Sequence, residues 1–483
     1  MNSLRRIPGA APALLGLLAL ALAAGCNLAP RYQRPSVATP AAFKEAAPSG
    51  PGVTWTPAQP RDETQRGAWW EIYQDPQLDA LEAQVRISNQ TIAAAEAEFH
   101  AARAAALSAR SALFPVISTA PTVDRLRNSN NWTAGGTSGT IMNEYSLPVD
   151  ASYEIDLWHR VGNTARASAL AAQASAADLA TVVLSSQAEL AQDYFALRAL
   201  DAQQAILDRT VTSYREALEA IQALNRSGID SDEDVARAQN QLDTTVAQDT
   251  DVKASRALYE HAIAVLIGRP PADFSLPAAP LTARPPEMPA GLPSALLQRR
   301  PDIAAAERRV EAANAEIGVA RTAYFPSLML GASGGWEAIH SAQWFEWPSR
   351  FWSLGPELGA TLFDWGARRG LTEQARAAFD QAAANYRQTV LTAFEAVEDN
   401  LAALRVLDQE AAEEHAAVES SQRLLQLALT RYRLGIDSYL DVVTAQTGLL
   451  SSQETEVQIR LRQMTASVSL VKALGGGWNP SPP

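Results

Sequence analysis

The chain has 483 residues, of which 47% are hydrophobic, and a formal charge of −13. Such acidity, with only Lys44, Lys253 and Lys472 as lysines, argues against nucleic acid as a partner. Much of the apolar share is alanine, which suits thin walls of close-packed helices better than one thick core.

The N-terminus reads Arg5-Arg6, an apolar run from Ala10 to Ala24, then Gly25-Cys26, the order and size of a secretory signal covering residues 1–25. It is too short and too early to be a working membrane span. Cys26 is the only cysteine, so an intrachain disulfide is impossible. Leu22-Ala-Ala-Gly-Cys26 resembles a bacterial lipobox, and the resemblance implies cleavage before Cys26, a covalent lipid such as palmitate on it, and anchoring by acyl chains. Asn27 in the next position implies passage to the outer membrane; the alternative is an ordinary signal peptide with a chance cysteine.

Residues 26–74 read as an extended segment, rich in Pro and Ala up to about residue 66. A helical pattern then runs from Asp75 to Leu113 and stops at Phe114-Pro115. From Tyr145 the chain alternates: Tyr145, Leu147, Val149, Ala151, Tyr153, Ile155 and Leu157 are apolar, and Ser146, Asp150, Ser152, Glu154 and Asp156 polar. This predicts a strand with one apolar and one wet face, extending about 43 Å at about 3.3 Å per residue. Its partner, with Ile117, Thr119, Pro121 and Val123, is weaker. Two more strands follow in the second half, Leu328 to Trp336 and Leu354 to Leu362, giving four per chain. The loops between strands hold Trp132 with Gly135-Gly136, and Trp344, Trp347, Phe351 and Trp352, like an interfacial aromatic belt. Four strands leave two open edges, which lipid does not tolerate; if these strands enter a membrane, several chains must close one barrel.

After each strand pair comes a long helical pattern, about 163–226 and 368–434. In the first, apolar residues recur by sevens at Val183, Leu190 and Leu197, then at Leu200, Leu207, Tyr214 and Ile221. Some sixty residues at about 1.5 Å each approach 100 Å, a length suited to a tube or coiled coil.

The chain is also written twice. Ile92-Ala-Ala-Ala-Glu96 returns as Ile303-Ala-Ala-Ala-Glu307 and Phe114-Pro115 as Phe325-Pro326, at an offset of 211. Ala196-Leu-Arg-Ala-Leu200 returns as Ala403-Leu-Arg-Val-Leu407, Gly228-Ile-Asp230 as Gly435-Ile-Asp437 and Gly268 as Gly475, at 207. The organisation is therefore repeat 1 (75–269), a proline-rich linker (270–296), repeat 2 (297–476) and a tail (477–483).

The chain resembles the outer-membrane factor family of TolC-like efflux channels, in particular its NodT-type lipoproteins. Asp75-Pro-Gln-Leu78, Arg299-Arg-Pro-Asp302, Ala323-Tyr-Phe-Pro326, Phe363-Asp-Trp365 and Arg431-Tyr-Arg-Leu-Gly435 carry the likeness, together with the duplication. It implies a mainly α chain with membrane β, assembled as a homotrimer whose twelve strands form one β-barrel continued by a twelve-helix α-barrel across the periplasm. The implied function is a passive duct of a tripartite efflux system, fed by a periplasmic adaptor and an inner-membrane pump of the resistance-nodulation-division type. No enzyme activity, metal or cofactor other than the lipid on Cys26 is expected: the histidines lack ligand spacing, and no phosphate-binding or Gly-x-Ser-x-Gly motif occurs. The alternatives are a lipid-anchored periplasmic coiled-coil scaffold and the duct of a type I secretion system.

The resemblance puts the closed end and the adaptor dock at the two helix-to-helix turns, Gly228-Ile229-Asp230 and Gly435-Ile436-Asp437. It puts a carboxylate ring at Asp441, with Asp234 as its counterpart. Read from spacing alone, Ser231 with Asp234 and Ser438 with Asp441 nearly form capping boxes, so gating and capping both stand. Gly228 and Gly435 suit turns that need positive φ.

Overall fold

The computed structural model describes residues 26–40, 42–45, 67–127, 129, 131, 139–281, 283, 285–286 and 300–476. The expected signal peptide, the loop carrying Trp132 and Gly135-Gly136, Arg299, linker residues 287–296 and the tail lie outside the described residues. The first repeat holds α1 (Pro76–Ser88), α2 (Gln90–Ser111), β1 (Val116–Ser118), β2 (Thr122–Arg127), β3 (Ile141–Ile155), α3 (Arg160–Arg226) and α4 (Asp232–Leu266). The second holds α5 (Pro301–Thr322), β4 (Ser327–Ala338), β5 (Arg350–Gly359), α6 (Ala367–Arg433) and α7 (Tyr439–Ala473). The duplication extends to element length: α2 and α5 have 22 residues each, α3 and α6 have 67, α4 and α7 have 35.

The single helical run expected from Asp75 to Leu113 is broken at Asn89, and the break has a local cause. Asn89 is extended (φ −67°, ψ 122°). Its Oδ1 accepts the N–H groups of Thr91 and Ile92 at 2.9 and 3.0 Å, and its Nδ2 donates to the Leu266 carbonyl at 2.8 Å. One side chain thus caps α2 and ties the break to the end of α4.

The chain divides into two compact units, taken separately. The first contains described residues from 26–35, 99–175 and 305–386 and holds the sheet. All pairings are antiparallel in the order β1-β3-β4-β5, with β2 also on β3. β1 and β2 keep one register along β3, Val116 opposite Ser152 and Thr122 opposite Ser146. They are one strand interrupted at 119–121, because Pro121 has no N–H to give the ladder. Thr119 spans the gap by donating to the Pro148 carbonyl at 2.6 Å. The four expected strands are therefore present as four lanes in five segments, and the outer lanes, β1/β2 and β5, have free edges among the described residues. The last lane is shorter than expected, ending at Gly359 before Leu362.

The second unit contains described residues from 36–98, 176–304 and 387–476 and holds most of the two long hairpins, α3/α4 and α6/α7. The seven-residue series has its predicted role: Leu190, Leu197, Leu207, Tyr214 and Ile221 are buried, with Val183 and Leu200 packed alongside. Trp69, Tyr73, Leu78, Leu81 and Val85 cover one apolar cluster of these helices. The start of the linker is buckled down by charge. Asp201, between Arg198 (2.9 Å) and Arg256 (2.6 Å), also accepts the Ala279 N–H at 3.0 Å. The two guanidinium groups donate to the carbonyls of Pro277 and Leu276, both at 2.7 Å.

Candidate functional site

Both hairpin turns are built the same way. α3 ends with Ile229 N–H bonded to the Leu224 carbonyl at 3.0 Å and Gly228 at φ +73°; α6 ends with Ile436 N–H on the Arg431 carbonyl at 2.9 Å and Gly435 at φ +67°. A six-residue closing bond with glycine in the left-handed region is the Schellman stop, so the two glycines are conformational requirements. Ile229 and Ile436 stand exposed at the two turns.

The turn aspartates are satisfied differently. Asp437 accepts from Arg431 of its own turn at 2.8 Å, and this hydrogen bond holds its carboxyl below the usual range. The first turn has Leu224 where the second has Arg431. Asp230 instead accepts from the hydroxyl of Tyr432, across the two hairpins, at 2.6 Å. Burial first, then the hydrogen bond to Asp230, pushes the Tyr432 phenol above its ordinary value. Asn225 adds a bond to the Asp230 carbonyl at 3.0 Å.

The two candidate gate residues lie one step beyond. Asp234 accepts from the Ser231 hydroxyl at 2.7 Å while its N–H donates back to that oxygen at 3.2 Å. Asp441 accepts from the Ser438 hydroxyl at 2.9 Å and the Ser438 N–H at 3.2 Å. Asp441 thus completes a capping box on α7, whereas on α4 the Ser231 hydroxyl is the cap and the Asp234 carboxylate bonds only that hydroxyl. Sequence reasoning missed the Tyr432–Asp230 and Arg431–Asp437 links; opposite partners six residues apart across a glycine stop were the available signal for the second, while the first joins residues 202 apart.

In the sheet unit, the register puts the apolar series on one face. Tyr145, Leu147 and Val149 of β3 lie opposite Ala338, Trp336 and Gly334, and Gly334 lies opposite Trp352 of β5. Ile117, Val123, Val149, Trp352, Leu354 and Leu358, all on this face, are exposed, Trp352 to 81%. The other face carries Asp124, Glu144, Asp150, Glu154, Glu337 and Glu357. A sheet with its greasy side open to the outside and carboxylates behind is the inverse of a soluble layer.

Cys26 sits where this sheet ends, its N–H bonded to the Leu157 carbonyl at 3.0 Å and its thiol exposed. From there a strap runs antiparallel along α5. Arg321 donates to the Leu28 carbonyl (3.1 Å), Asn314 to the Pro30 carbonyl (2.8 Å), and Arg34 pairs with Glu307 (2.7 Å). Gly318 makes the seat: a Cβ there would lie 2.7 Å from the Ala29 Cβ and 2.6 Å from Asn163 Nδ2. Among the described residues no cluster of three or more His, Cys, Asp and Glu side chains could hold a metal.

The outer membrane efflux protein family matches residues 81–269 and 292–476, the two repeats. The chain is 32% identical over 468 residues, 96% of both sequences, to the probable efflux pump outer membrane protein TtgC of Pseudomonas putida. It is 33% identical over 417 residues, 85% of this chain and 87% of the relative, to the pyoverdine export outer membrane protein OpmQ of Pseudomonas aeruginosa. Among solved structures, the outer-membrane channel OprN superposes with a TM-score of 0.85 at 28% identity, covering 94% of this chain and all of that one. The open-state MtrE outer membrane channel of Neisseria gonorrhoeae gives 0.80 at 27% identity, over 94% of this chain and 98% of that one. The chain belongs to the outer membrane efflux protein family. It is the outer-membrane channel component of an efflux system, and its fold, mainly helical with one antiparallel sheet, is that of the channel structures.

Proposed function

We propose that three copies of the chain close one duct, the four strand lanes of each joining edge to edge in a twelve-strand barrel and the hairpins forming a twelve-helix tube. The observation that carries this is the sheet, whose apolar face is exposed while its outer lanes have unpaired edges among the described residues. The duct is passive. An inner-membrane pump, of the resistance-nodulation-division type by family likeness, supplies energy through a periplasmic adaptor docked at the turns around Gly228-Ile229-Asp230 and Gly435-Ile436-Asp437. Cargo is small molecules; the relatives are named for toluene, solvent, antibiotic and pyoverdine export, so choice rests with the pump.

Cys26 carries the lipid anchor in this reading, supported by its exposure at the sheet end of a strap bonded along α5. Cys26→Ser should lose the acyl mass and the fast-sedimenting membrane fraction of the unassembled chain, and equal masses in both proteins would remove the anchor.

Asp441 caps α7, Asp234 holds the Ser231 hydroxyl that caps α4, and both gate: six carboxylates gathered at one constriction attract cations and oppose opening. Single-channel recording in planar bilayers tests duct and gate together. Small cation-selective steps in the wild type that enlarge and lose selectivity in Asp234→Ala, Asp441→Ala support both. Equal steps leave the aspartates as caps, and no steps in either protein favour the scaffold reading.

A further inference from the structure

The strap occupies one side of α5, at Asn314, Gly318 and Arg321. At about 100° per residue, Glu316, Val319 and Ala320 fall on the opposite side. There a cleft of about 760 Å³ opens between α5, the first turns of α6 and the end of the sheet. The strand residues that line it, Glu154, Ser327, Met329 and Gly359, all lie on the sheet face that carries the carboxylates. Every lining residue belongs to the sheet unit of one chain, and in a closed duct the cleft faces the lumen.

The size suits a small organic molecule, and so does the lining. Ala320, Ala375 and Ala378 leave the room, while Phe325, Met329 and Leu371 supply apolar wall, Phe325 and Leu371 with exposed side chains. Four of the lining side chains are charged, and three of these are engaged. Arg160 donates to Glu154 at 2.8 Å, and Arg368 donates to Asp364 at 2.6 Å and to the Thr361 carbonyl at 2.8 Å. The fourth, Glu316, is exposed and makes no hydrogen bond or ion pair among the described residues. The equivalent position 211 residues earlier is Ala105, so the carboxylate is peculiar to the second repeat.

We infer that this cleft is a binding site for an amphipathic organic monocation, its charge on Glu316 and its apolar body against Phe325, Met329 and Leu371. A carboxylate without a counter-charge at the edge of apolar space favours a cation over a neutral molecule or an anion of the same shape. The arginines offer an anion little, since each already holds a carboxylate at hydrogen-bond distance. The inference rests on the duct reading for its use: only there does the cleft lie on the path of cargo, where it retains cations briefly after the pump has chosen them.

The experiment keeps site and duct apart. Full-length chain in nanodiscs is titrated against rhodamine 6G, a flat monocation, and against neutral Nile red, with fluorescence polarisation read above that of empty nanodiscs. The same preparations are recorded in planar bilayers. The expected result is saturable rhodamine 6G binding that Glu316→Gln weakens about tenfold, with Nile red unchanged by that variant. Ala320→Trp, which fills the cleft, should remove rhodamine 6G binding while leaving bilayer steps in place. Rhodamine 6G bound equally by wild type and Glu316→Gln, or not bound saturably at all, overturns the site, and bilayer steps in those samples keep the duct. A chain that gives no bilayer steps yet loses rhodamine 6G affinity in Glu316→Gln keeps the cation site, which one chain lines alone, and overturns the duct.

Discussion

The Tyr432 hydroxyl donates to the Asp230 carboxylate at 2.6 Å and so joins the end of α6 to the turn that follows α3. It is a side-chain bond between the two turns, next to packing of Tyr432 on Tyr439 at 5.5 Å. We predict that Tyr432→Phe, which keeps the packing and loses only the bond, weakens the tie by roughly 1 kcal/mol. Single-channel steps should be larger than in the wild type. Asp230→Ala should enlarge them similarly, and the double variant should add little. Additive effects would show that the two residues act on opening separately.

Asp201 neutralises two buried or half-buried guanidinium groups and holds the linker N–H of Ala279. Removing it leaves Arg198, itself buried, without its carboxylate. Asp201→Ala should cost about 3–5 kcal/mol, lower the thermal midpoint and open residues 274–281 to protease. An unchanged midpoint would mean that the apolar cluster alone fastens the linker.

Glu82 lies within α1 at 0% exposure, with neither carboxylate oxygen bonded among the described residues. Burial, then the charge of Asp79, pushes its carboxyl up to about 9 from an ordinary 4.5. The native state therefore holds a proton that the unfolded state releases above about 4.5, so stability falls as pH rises through this window. The slope is about 1.4 kcal/mol per pH unit. Thermal midpoints between pH 5 and pH 9 should fall in the wild type and flatten in Glu82→Gln. Parallel curves would assign the pH dependence elsewhere.

Two glycines with the same backbone sign should respond unequally to alanine. Gly268, at φ +69°, has the Ser88 carbonyl oxygen 2.1 Å from where a Cβ would sit, whereas Gly228, at φ +73°, has nothing within 4 Å. Gly228→Ala should cost about 1 kcal/mol, the conformational penalty alone, and Gly268→Ala roughly 2–3 kcal/mol, since Asn89 and Ser88 must also move. Comparable melting shifts would show that the α1–α2 break yields easily.

Repeats, long helices and alternating strands were legible because each is a local period: sevens from Val183 to Ile221, twos from Tyr145 to Leu157. The glycine stops were legible too, since only one residue type fits them. Asn89 was not, because an asparagine inside a helical pattern breaks it only when something distant, here the Leu266 carbonyl, takes its amide. The β1/β2 interruption was half-visible in Pro121. The Tyr432–Asp230 tie and the strap contacts of Asn314 and Arg321 were invisible, since they join segments 202 to 293 residues apart with no spacing rule. The aspartates at 234 and 441 were found, and their serine partners with them, because a cap is a three-residue motif.

The matched lengths of the hairpins, 67 and 35 residues in each repeat, have an engineering consequence. Tyr432 reaches Asp230 only because both rods reverse at one height. Adding one heptad to each of the four rods would lengthen the shaft while keeping its lower rim level. Adding it to one pair would leave a stepped rim, with Asp437 and Asp230 about 10 Å out of plane. In the proposed three-copy duct, an adaptor docked at the turns would then meet three raised teeth instead of six level ones.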